Sequence, residues 1–102
     1  MLESLEKMLA AGKDSAMLRF GLGNGYLDAG DAPSAAFHLR RCVEQDPGYS
    51  AAWKLLGKAH QASGDTASAR LAWERGLVAA RQRGDKQAEK EMQVFLRKLD
   101  RG

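Results

Sequence analysis

His38 and His60 are the side chains of this 102-residue sequence that titrate near neutral pH, and Cys42 is its one thiol. A catalytic or metal-binding reading needs partners for them. The histidines stand 22 residues apart with no cysteine or carboxylate at ligand spacing, and no Ser-His-Asp or Cys-His arrangement can be assembled. His60 is expected to be a core or rim residue, and His38 to lie on the exposed side of its helix. Cys42 cannot form an internal disulfide. Arg40 and Arg41 beside it would favour a thiolate, but small-residue packing is the simpler role.

The run Gly21-Leu22-Gly23-Asn24-Gly25 invites a phosphate-loop reading, because glycine lets backbone amides approach an anion. No strand precedes it and no Lys-Ser or Lys-Thr follows. The glycines instead imply a weak helix, each costing about 1 kcal/mol relative to alanine. The sequence is therefore read as non-catalytic, with no cofactor and no metal.

The elements that must carry these residues repeat at a fixed offset. Leu22-Gly23 returns as Leu56-Gly57, Gly30-Asp31 as Gly64-Asp65, Ala35 as Ala69, and Leu39 is answered by Trp73, all 34 apart. Each unit reads as two helices and a tight turn. The first unit has a helix near Ser15 to Ala29, capped by Asp14 or Ser15 and ended by Gly30. Asp31 caps the next helix, Pro33 sits in its first turn, and Asp46-Pro47 closes it. The second unit has helices near Tyr49 to Ser63 and Thr66 to Arg83. Strand-like alternation is absent from the sequence.

These residues resemble the tetratricopeptide repeat family. Trp53, Leu56, Gly57, Gly64, Ala69, Trp73 and Gly76 in the second unit, and Leu22, Gly23, Tyr26, Gly30, Ala35, Leu39, Cys42 and Pro47 in the first, stand at its pattern positions. Departures are Arg19 at the tryptophan position, His60 at the tyrosine position and Arg81 at the closing proline position, the last implying that the final repeat helix runs on. The resemblance implies an all-α, right-handed superhelical solenoid of helix hairpins, about six helices in one domain over 1–102. Repeat one is expected at about 16–49, repeat two at about 50–83 and a C-terminal capping helix at about 86–100.

Two repeats leave apolar ends that need covering. Counting back 34 puts Leu5, Met8 and Leu9 on the inner face of a preceding half-repeat, either a natural cap or the edge of a longer array. Met92, Phe95, Leu96 and Leu99 recur at helical spacing. They fit the first-helix core positions after a five-residue insertion within Arg81 to Gln87.

In the family, first helices line a concave surface that grips partner peptides or helices, which implies a protein-binding scaffold here. Carried over, the groove positions are Met17, Phe20 and Asn24, then Ala51, Lys54, Lys58 and Gln61, and, with the shift, Gln93 and Arg97. Such a groove is apolar at one end and basic at the other, suiting a segment with an apolar anchor and acidic residues or a free carboxylate. The subclass that clamps chaperone carboxylates is matched only at Asn24 and Lys90, with Phe20, Leu55 and Val94 elsewhere, so a chaperone-tail ligand is not implied.

Net charge is +3, divided as five basic and seven acidic residues over 1–47 and eleven basic and six acidic over 48–102, that is −2 against +5. A basic stripe of Arg70, Arg75, Arg81, Arg83 and Lys86 leaves nucleic-acid binding as an alternative, and the end faces leave self-association. Glu3 and Glu6 interrupt the apolar positions of the amino terminus, and no later run approaches membrane-spanning length, so a cytoplasmic location is expected.

Overall fold

Four turns are built on one plan, in which a side-chain oxygen accepts a hydrogen bond from the amide three residues on. Ser15 accepts from Leu18 at 3.1 Å, Asp31 from Ser34 at 3.2 Å, Asp65 from Ser68 at 3.0 Å and Asp85 from Ala88 at 3.1 Å. Each satisfies an amide that the first turn of a helix leaves without a partner. Gly30 and Gly64 precede two of these caps at φ +82° and +81°, where a Cβ would be strained.

The computed structural model describes residues 1–101, and in them the caps delimit six helices. These are α1 (Leu2–Ala10), α2 (Ala16–Asp28), α3 (Ala32–Gln45), α4 (Ser50–Ala62), α5 (Thr66–Arg83) and α6 (Lys86–Arg101). No strand occurs among the described residues. The helices form two rows. α2, α4 and α6 touch in succession along one side, while α1, α3 and α5 are separated from one another on the other. The result is an all-α helical-repeat fold.

Small residues set the spacing between helices. A Cβ on Gly23 would overlap the Leu39 side chain, one on Gly57 the Trp73 indole, and one on Gly76 would come within 2.7 Å of the Trp53 Cβ. Trp73 is 1 % exposed, and its indole N–H donates to the Lys54 carbonyl at 3.0 Å across the gap that Gly57 leaves. The glycine run of α2 is thereby explained on two faces. Gly23 receives Leu39 from α3, while Gly21 and Gly25 receive Leu5 and Leu2 from α1.

The ends behave largely as anticipated. α5 has 18 residues against 14 in α3, and the turn at Gly84-Asp85 starts α6 in a new phase, with Ala88 and Met92 buried and Phe95, Leu96 and Leu99 half-buried against α5. Leu5 and Leu9 of α1 turn inward, joined by Leu2, but Met8 does not; it is 44 % exposed. Its counterpart Cys42 is covered because α3 lies between α2 and α4, whereas α1 has a neighbour on one side alone.

Candidate protein-binding surface

The positions carried over from the repeat pattern lie on α2, α4 and α6, the row of first helices. Met17 is 75 % exposed, Phe20 is half-buried and stacks on Tyr49 with centroids 4.9 Å apart, and Asn24 is exposed. On α4, Ala51 and Lys54 are half-buried while Lys58 and Gln61 are exposed; on α6, Gln93 is half-buried and Arg97 exposed. Two cations bridge the helices. Lys54 Nζ is 2.9 Å from Glu91 Oε1, and Lys58 Nζ stands 5.1 Å from the centre of the Phe95 ring. Lys54 is thus compensated internally, whereas Lys58 and Arg97 have no carboxylate within 4.0 Å among the described residues. Sequence reasoning did not find Glu91 or Tyr49, whose partners stand 37 and 29 residues away in the chain.

The basic stripe is largely discharged by the fold. Arg70 pairs with Asp100 at 2.7 Å, Arg81 with Glu89 at 3.0 Å and Arg83 with Asp46 at 3.6 Å. Phosphate contacts by these arginines would have to displace carboxylates already in place.

A second polar assembly joins α1, α2 and α3. Arg19, 7 % exposed, makes two bonds to Asp14, at 2.8 and 2.9 Å, and its Nη1 meets His38 Nδ1 at 3.0 Å. Gln45 donates to Asp14 at 2.9 Å, the His38 ring stacks on Tyr26 with centroids 5.5 Å apart, and the Tyr26 hydroxyl donates to Glu6. His38 is therefore buried, 7 % exposed, and not on the outer side of α3 as its sequence position suggested. The reason is Arg19, which brings a guanidinium into the place the pattern gives to tryptophan and requires a polar partner opposite. The lost tryptophan was the signal for this cluster.

The assembly has donors and acceptors but no free nucleophile, since Ser15 Oγ is engaged in the cap. Because Arg19 can only donate, His38 Nδ1 must accept, which places the imidazole proton on Nε2. Burial, then the Arg19 charge, hold His38 below its ordinary range, while Arg19 and Gln45 hold the Asp14 carboxyl well below the carboxylate range. Burial likewise lowers His60 and pushes the Cys42 thiol up to about 11, which leaves it protonated and unreactive at neutral pH. Both histidines are thus kept neutral. The unfolded chain takes up protons at about pH 6.5 before the folded one does, so stability is present above that pH and falls as the solution is acidified below it. The urea midpoint is expected to be lower at pH 5 than at pH 7.5, and the drop to be smaller in His38→Gln. Equal midpoints at the two pH values would contradict the assignment. Asp14 stays ionised across this window and does not contribute to the change.

Among the described residues no three His, Cys, Asp or Glu side chains gather as a metal site, and no helix is long and apolar enough to cross a membrane.

The sequence model of the tetratricopeptide repeat family matches residues 26–89. The TPR repeat-containing protein PA0015 of Pseudomonas aeruginosa is 75 % identical over 101 residues, spanning 99 % of this chain and 96 % of that protein. Among solved structures, protein BPP2914 of Bordetella parapertussis is similar with a TM-score of 0.85 and 53 % identity over 99 % of this chain and 88 % of its own. A tetratricopeptide repeat domain protein of Salinibacter ruber gives 0.79 and 25 % over 85 % and 97 %.

Proposed function

Since this chain belongs to the tetratricopeptide repeat family, we propose that it is a protein–protein interaction scaffold which holds a segment of a partner against the face made by α2, α4 and α6. The observation that carries this reading is the pairing on that face of an exposed apolar side chain, Met17, with two cations, Lys58 and Arg97, that no carboxylate of the described chain compensates. A segment with an apolar anchor followed by acidic residues meets both ends. Lys54 contributes by fixing α6 through Glu91 and is not offered as a ligand contact. The face spans three helices, so a short segment held weakly is expected.

The reading is tested by affinity capture with wild type beside Lys58→Glu/Arg97→Glu. Both side chains are exposed, so the variant should keep its helical circular dichroism and Tm. Proteins retained by wild type and lost from the variant would be the partners. Identical retention by a folded variant would remove this face from consideration. Lys54 is left untouched because a glutamate there would confront Glu91 and disturb the docking of α6.

A further inference from the structure

The opposite row of helices has a gap. α3 and α5 both pack on α4 but do not touch each other, and between them lies a cleft of about 510 Å³, within the range of ligand-sized sites. Its floor is apolar and preformed, with Val43 at 5 %, Leu56 at 4 % and Ala72 at 4 % exposure, while Leu71, 48 % exposed, stands on its edge. An exposed leucine beside a depression lined by aliphatic carbon is a surface that gains from being covered.

The charges around it select the occupant. Arg40 and Arg75, one from each flanking helix, line the cleft, and neither has a carboxylate within 4.0 Å among the described residues. The acid on the rim, Glu44, is already paired with Arg41 at 3.3 Å. This contrasts with Arg70, Arg81 and Arg83, which the fold neutralises.

We propose that the cleft between α3 and α5 is a second peptide-binding site, distinct from the α2–α4–α6 face, which takes a short acidic segment bearing a branched apolar residue. The apolar side chain fills the floor over Leu56 and Ala72, and carboxylates on either side of it meet the two arginines as charge-assisted hydrogen bonds. The two faces are on opposite sides of the array, so one chain can hold two segments at once. The site does not depend on the reading of the first face, and the two are separable by where a ligand is felt.

The test uses the full chain, labelled with nitrogen-15, and a blocked peptide of two leucines flanked by glutamates. Amide shifts are expected at Val43, Leu71 and Ala72, with those of Met17, Lys58 and Gln93 unmoved. Replacing every glutamate of the peptide by glutamine should weaken binding at least about tenfold, and Arg40→Gln/Arg75→Gln should do the same with Tm unchanged. Shifts confined to the α2–α4–α6 face would support the first site and overturn the second. Equal binding of the glutamine peptide, or no saturable shift at millimolar peptide, would also overturn it. Shifts at the cleft that appear on raising protein concentration without peptide would assign it to a second copy instead, and so overturn it too.

Discussion

Met92→Ala should loosen α6 from the rest of the array and, with it, dismantle the proposed binding face. Met92 is fully buried and its sulfur sits where Gly76 has no side chain, so truncation leaves a hole between α5 and α6 that neither backbone can close without moving. Truncating a buried methionine costs roughly 2–5 kcal/mol. α6 is the terminal helix of the described chain, and the loss therefore falls on its own docking. Amide exchange in α6 is expected to rise at least about thirtyfold, the equivalent of some 2 kcal/mol, while α3 and α4 remain protected. Lys54 would lose Glu91 and Lys58 its place over Phe95, so partner capture should fall together with α6 protection. Unchanged exchange across α6 would show that Phe95, Leu96 and Leu99 suffice to hold it.

Gly57→Ala is the second large effect, and its sign is set by what the new methyl group meets. Alanine would gain about 1 kcal/mol in helix propensity. At Gly57, however, the methyl overlaps three atoms of the Trp73 ring, a rigid group pinned by its bond to the Lys54 carbonyl. Overpacking of this kind costs about 3 kcal/mol at the upper end of its usual range, for a net loss of about 2 kcal/mol and a Tm about 10 °C lower. Gly21→Ala makes the opposite case. Its Cβ would lie 3.2 Å from the tip of Leu5, a flexible side chain on a lightly held helix, so the propensity gain should survive and Tm should hold or rise. If both variants moved Tm the same way, close approach would not be the reason for the glycine at position 57.

The recurrence at 34 residues, the capping oxygens and the turn glycines are short-range signals, and from them the helices are legible in the sequence to within a residue or two. Cys42 in the core and the five-residue shift before α6 followed from the same register. What could not be read depended on which side chains meet across helices. His38 sits among polar residues at a position that looks outward, and only the burial of Arg19 turns it in. Lys54 looks like a free groove cation until α6, reset in phase by the Gly84-Asp85 turn, presents Glu91 to it. Met8 shares its register with Cys42 but lacks the further helix that would cover it. The gap between α3 and α5 is likewise invisible to periodicity, which reports each helix's own apolar stripe and not the distance between two rows.

Each helix of this array packs mainly on the helices next to it in the chain. Such contacts are made between residues that are never far apart along the polypeptide, so little loop entropy must be lost before a contact forms. A chain wired in this way acquires its structure in microseconds to milliseconds. During synthesis each hairpin can close as soon as its second helix has left the ribosome, without waiting for the carboxyl end.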